Sequence, residues 1–177
     1  MSRQETIFTI GHSTHPWEKF LKILRRHGIG AVADVRRYPG SRNYPQFKAA
    51  TLETALPESG FDYLPFRELG GRRSPVKASI INAGWRSAAF RGYADFMQSD
   101  EFAAGIDRLE ETARRKPTVI MCAEAVPWRC HRSLIADALV VRRWRVLDIF
   151  GKGPAKKHLL NPMALVSDGK IVYPLAV

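Results

Sequence analysis

Apolar residues along the chain fall into short runs of two different periods. Thr6-Ile7-Phe8-Thr9-Ile10 is a β-branched and aromatic run stopped by Gly11, which reads as a strand. Trp17, Phe20, Leu21 and Leu24 then recur at spacings of three and four, one face of a helix that Gly28 ends. Pro16 suits the first turn of that helix, with Thr14 available as its cap. Ala31-Val32-Ala33-Asp34-Val35 is a second strand, so the opening segment is a βαβ unit. Residues 36–47 hold two prolines and a glycine and read as a long loop. A short helix is expected over 48–56 and a third strand over 61–66.

Residues 67–92 are the least regular stretch, and a loop of that length in a compact domain is functional or partly helical. Phe102, Ile106, Leu109 and Ala113 mark the next helix. Thr118-Val119-Ile120-Met121-Cys122 is a strand with an apolar centre, as expected where helices cover both faces of a sheet. Residues 133–144 read as a helix, 146–150 as a fifth strand, and Ile171-Val172-Tyr173 is expected to pair at the sheet edge. Strands alternating with helices predict a single α/β domain over 1–177, with a mainly parallel sheet and helices on both faces. Its core spans about 6–150, followed by a basic C-terminal extension over 151–177.

Composition adds limits. The 177 residues are 45% hydrophobic and 25% charged, ordinary for a globular protein. No apolar run approaches the roughly 20 residues that span a bilayer. No apolar segment follows Met1-Ser2-Arg3-Gln4-Glu5 to suggest a secretory signal. Two cysteines, Cys122 and Cys130, are not a disulfide framework, so a reducing, cytoplasmic setting and no membrane partner are expected. The net charge is +11, but eight basic residues end predicted helices, where cations complement the helix dipole. Charge alone therefore does not argue for a nucleic-acid partner. Cofactor and oligomeric state stay unassigned.

Candidate chemistry lies after the strands, because parallel sheets bind ligands at their carboxyl ends. His12 and Ser13 follow the first strand, and Asp34, Arg36 and Arg37 close the second. Arg72 follows the third within Gly70-Gly71-Arg72-Arg73. Cys122-Ala123-Glu124 closes the fourth, and Cys130-His131-Arg132 opens the next helix behind Arg129. A helix start beside two arginines would hold an anion and lower the Cys130 pKa. The candidate catalytic residues are thus Asp34, Cys130, His12 and Glu124. The candidate anion-binding residues are Arg36, Arg72, Arg129, His131, Arg132 and Ser13. Asp34 has a plainer reading, orienting Arg36 by an ion pair, and Cys122 one as a small buried hydrophobe. Zinc on Cys122, Cys130, His131 and His12 is conceivable, but there is no Cys-x-x-Cys pair and adjacent Cys130-His131 is awkward for one tetrahedral site. No metal is assigned.

Taken in order, Thr9-Ile10-Gly11-His12-Ser13, Asp34-Val35-Arg36 with Pro39 and Ser41, Leu69-Gly70-Gly71-Arg72, and Cys122-Ala123-Glu124 with Cys130-His131-Arg132 resemble the bacterial and archaeal family Domain of Unknown Function 488. The resemblance runs from about Thr6 to Phe150. It implies a compact Rossmann-like α/β domain and no particular reaction, substrate or cofactor. Three functions remain open. One is an enzyme acting on a phosphorylated or nucleic-acid substrate, favoured by 19 arginines against 9 lysines. The second is thiol-based sulfur transfer or redox chemistry on Cys130 and Cys122. The third is a non-catalytic module that binds a nucleotide or nucleic acid. The expected partner is an anionic small molecule or a nucleic acid.

Overall fold

A computed structural model describes residues 4–176. The chain runs β1 (Thr6–Gly11), α1 (Trp17–Arg26), β2 (Ala31–Asp34), α2 (Ala49–Glu58), β3 (Asp62–Pro65), α3 (Ala88–Phe96), α4 (Asp100–Arg115), β4 (Thr118–Cys122), α5 (Arg132–Val141), β5 (Arg145–Ile149), β6 (Lys156–Lys157), β7 (Leu165–Ser167) and β8 (Lys170–Val172). Six strands form one sheet in the order β3-β2-β4-β1-β5-β6. The first five are mutually parallel, and β6 is antiparallel to β5.

Alternate residues of a strand face opposite sides of the sheet, and each side is roofed by helices. Ile10, Val32, Val119 and Met121 pack with Phe20 and Leu24 of α1 and with Leu52 and Leu56 of α2. Ala33, Ile120, Cys122 and Val146 pack on the other side with residues of α3, α4 and α5, such as Tyr93, Ile106 and Leu134. This explains why β2 and β4 are buried along their whole length. The result is the Rossmann-like α/β architecture. No described helix is long and apolar enough to cross a membrane.

Two expectations are corrected and one is met. Thr14 does not cap α1: Pro16 occupies the cap position, and no side chain bonds the helix start. The irregular stretch over 67–92 is partly helical, as expected: it holds a 3-10 turn over Arg67–Leu69 and the start of α3, capped by the Ser87 side chain, which accepts from the Phe90 N–H. The segment around Ile171 does not extend the sheet edge. It pairs with β7 in a separate hairpin, where Asp168 and Gly169 both take positive φ, as a two-residue hairpin turn demands. Two-residue β6 takes the edge instead, and its lysines blunt that edge against further pairing.

The position of β4 decides where the strand ends converge. It lies between β1 and β2, so three strand ends meet there, with Gly11 opposite Cys122 and Asp34 opposite Met121.

Candidate functional site

The loops leaving β1, β2 and β4 stay in register beyond the strands. His12 N–H donates to the Cys122 carbonyl at 2.8 Å, Ser13 N–H to that of Ala123 at 2.9 Å, and Val35 N–H to that of Met121 at 3.1 Å. The β4–α5 loop crosses so close to Gly11 that a Cβ there would stand 1.7 Å from the Glu124 carbonyl oxygen. Only glycine ends β1 beneath that loop.

Arg36 is held from two sides. Its Nε donates to Asp34 Oδ1 at 2.8 Å and its Nη2 to Oδ2 at 2.7 Å, with the Arg36 backbone N–H also on Oδ1 at 3.1 Å. Tyr63 donates its hydroxyl to Asp34 Oδ2 at 2.7 Å. The carboxylate expected as a catalytic base is therefore saturated with donors and positions Arg36. Arg36 Nη1 donates to His12 Nε2 at 3.1 Å, so the ring hydrogen sits on Nδ1 and donates to the Ser13 carbonyl at 3.0 Å. Burial, reinforced by the Arg36 charge, lowers the His12 pKa to about 4. His12 is thus neutral, stacked on Phe47 with ring centroids 4.2 Å apart, and acts as an acceptor for Arg36. Of the five guanidinium N–H groups, Asp34 and His12 take three.

Cys122, Cys130 and His131 come together at a cavity of about 270 Å³ that Arg36, Arg72 and Arg129 also line. Their ligating atoms all lie within 4.8 Å of one another. The two buried thiols are reversed from the sequence expectation. The hydrogen bond with Cys130 pulls the Cys122 pKa well down, against burial, with His131 and Arg132 adding to it. The same bond, together with burial, pushes Cys130 up. Cys130 does not open the helix as expected. It closes a short 3-10 turn over Pro127–Arg129, two residues before α5.

The remaining candidates divide by position. Arg36, Tyr38, Arg72 and Glu124 line both the first cavity and a second of about 410 Å³, which Ser13 and His12 also border. Ser13 and Arg72 have φ of 46° and 59°, a strained region for non-glycine residues that recurs at functional sites. Arg132 departs from expectation. It is 0% exposed and lines neither cavity, and its two terminal nitrogens grip the Glu124 and Ala125 carbonyls at 2.6 and 3.2 Å. It holds the β4–α5 loop down rather than meeting a ligand.

Sequence reasoning missed a second buried network. His158 lies between Asp148, at 2.8 Å from Nδ1, and Asp137, at 3.0 Å from Nε2. Thr9 donates to Asp148 at 2.6 Å and Tyr173 to Asp137 at 2.7 Å. Burial disfavours the charged ring, but the bonds to Asp137 and Asp148 outweigh it and raise the His158 pKa to about 9. The signal was faint: three residues on α5, β5 and β6's flank, with no shared motif.

Among protein families, residues 16–139 match Domain of unknown function DUF488. No curated protein and no solved structure matches the chain.

Proposed function

Because the chain belongs to the family Domain of unknown function DUF488, whose description names no reaction, we propose from the site itself that it is an enzyme acting on a phosphorylated, nucleotide-sized substrate at the carboxyl edge of the sheet. The observation that carries this reading is Arg36. Asp34 and His12 fix its guanidinium and leave two N–H donors on the terminal nitrogens, in a residue that borders both cavities. A guanidinium oriented in advance loses little freedom when it binds phosphate in a bidentate manner.

Neighbouring groups support the same reading. Arg72 and Arg129 add positive charge at the walls. Tyr38 is 64% exposed at the rim, with Arg37 and Arg72 each 5.7 Å from its ring centroid. An exposed ring beside arginines suits stacking on a base. The adjoining cavities are of the size that takes a small ligand. Glu124 borders both, and its role in this reading is general acid–base catalysis on the bound substrate. Asp34 and His12 are positioning residues.

Calorimetric titration with adenosine monophosphate, inorganic phosphate and a short oligonucleotide tests the proposal. Arg36→Ala and Arg72→Ala should weaken phosphate-bearing ligands by about 1–3 kcal/mol, the scale of a charge-assisted hydrogen bond. Glu124→Gln should keep binding and lose turnover of a phosphorylated substrate. Equal losses in Arg36→Ala and in Arg142→Ala, on the far side of the sheet, would mean diffuse polyanion attraction. Tight binding with no turnover of any phosphorylated compound would leave a binding module.

A further inference from the structure

We infer that Cys122, Cys130 and His131 bind a zinc ion as three protein ligands, with the fourth coordination position open to the cavity. This goes beyond the phosphate-binding reading and is measured independently of it. The three ligating atoms already lie within 4.8 Å of one another, with Cys130 Sγ and His131 Nδ1 3.7 Å apart. Zinc sits about 2.3 Å from sulfur and about 2.0 Å from nitrogen, which sets tetrahedral ligand atoms roughly 3.5–4 Å apart. Small side-chain rotations close the remaining difference.

The surroundings of His131 are those of a metal ligand. Its Nε2 lies 2.9 Å from the Val35 carbonyl oxygen, which can only accept, so Nε2 carries a hydrogen and Nδ1 is turned to the sulfurs. A ring N–H on a backbone carbonyl is the usual outer support that fixes a metal-bound imidazole. Gly71 keeps the approach clear: a Cβ there would stand 2.8 Å from Nδ1. Tyr93 packs against the ring, centroids 5.0 Å apart, and is itself anchored by its hydroxyl on the Leu69 carbonyl at 2.6 Å.

The objection that adjacent Cys130 and His131 cannot share a tetrahedral ion is met by the local backbone. Cys130 is extended, with φ −141° and ψ 145°, whereas His131 is helical, with φ −57° and ψ −18°. The change of conformation turns both side chains towards Cys122. Two thiolates and an imidazole select zinc over the hard ions magnesium and calcium. Among the described residues no fourth His, Cys, Asp or Glu joins the group. Three protein ligands beside a cavity are the pattern of a zinc site that keeps one position for water or substrate. Binding is a simple exchange: the divalent ion enters, thiol protons leave to solvent, and no electrons move.

The test uses the full chain, reduced, stripped with chelator and titrated with zinc or cobalt alone. One ion per chain is expected, cobalt giving a thiolate-to-metal charge-transfer band and strong tetrahedral visible absorption that zinc then abolishes. Cys122→Ser, Cys130→Ser and His131→Gln should each weaken zinc at least tenfold, whereas His27→Gln should not. If a variant fails to fold, as judged by circular dichroism, the wild-type chain still decides the question: zinc should protect both cysteines from iodoacetamide. No charge-transfer band, unprotected thiols, or a Cys122–Cys130 disulfide forming with no metal uptake would overturn the site. Adenosine monophosphate titrated without metal separates the two readings. Nucleotide binding by a chain that ignores zinc sinks only the metal site, and zinc uptake by a chain that ignores phosphate sinks only the proposed substrate.

Discussion

Two buried networks, each built around a histidine, lie in the same sheet and are opposite in character. At His12 the neighbour is the Arg36 cation, and the ring is neutral, with a pKa of about 4. At His158 the neighbours are two aspartates, and the ring is charged, with a pKa of about 9. The His158 network closes on itself: Thr9, Tyr173 and the Asn161 N–H fill its remaining sites, and it borders neither cavity. It joins β5 and α5 to the C-terminal extension. The Arg36 network leaves donors unspent at a cavity. Buried charge alone therefore does not tell the two regions apart. What distinguishes the two regions is whether any hydrogen-bonding capacity is left for a ligand.

The largest effect should come from breaking the closed network. His158→Ala leaves Asp137 and Asp148 buried without their cation, a loss on the order of 3–5 kcal/mol in urea unfolding. Nucleotide binding by the folded fraction should be unchanged, and its loss would erase the division between the two regions. Asp34→Asn strikes the open network. It should cost about 1–3 kcal/mol of stability and also weaken nucleotide binding tenfold or more, because Arg36 loses its orientation. A drop in stability with affinity intact would make Asp34 a purely structural residue.

The two histidines should bound the pH range of stability from opposite sides. The folded pKa of His12 is depressed from 6.5 to about 4, so its contribution is present above 6.5 and is lost as pH falls towards 4. The folded pKa of His158 is raised from 6.5 to about 9, so its contribution is full below 6.5 and is lost as pH rises through 9. Each limb is worth on the order of 3 kcal/mol. Unfolding free energy measured across this range should flatten on the acid side in His12→Gln and on the alkaline side in His158→Gln. The reverse pairing would contradict the assignment of charge states. The smallest effect belongs to Arg142→Ala. That residue is already paired with Asp107 and Glu110 far from the cavities, and nucleotide affinity should change by less than about twofold at physiological salt.

Much of the fold could be read from periodicity. The five strand segments sit within a residue or so of their expected limits, because apolar runs between glycines, prolines and amphipathic helices leave few alternatives. Helix α3 was hidden because Gly92 interrupts it, and that glycine is required by a close approach: a Cβ there would stand 2.1 Å from the Arg73 carbonyl oxygen. The insertion of β4 between β1 and β2 is written in no local pattern, although it is what brings Cys122 beside Gly11 and Met121 beside Asp34. The strand-end rule pointed to the edge where the cavities lie. It could not assign roles there, since the burial of Arg132 and the saturation of Asp34 depend on partners that only the folded chain supplies.

If ligand binds where hydrogen-bonding capacity is left over, backbone amide shifts of the labelled chain, followed during titration with adenosine monophosphate, show it most directly. Saturable shifts are expected at Ser13, Arg36, Tyr38, Arg72 and Glu124, with Asp137, Asp148 and His158 silent. Shifts centred on the His158 network, or spread over the arginines at the C-terminal ends of α4 and α5 with no saturation, would contradict it.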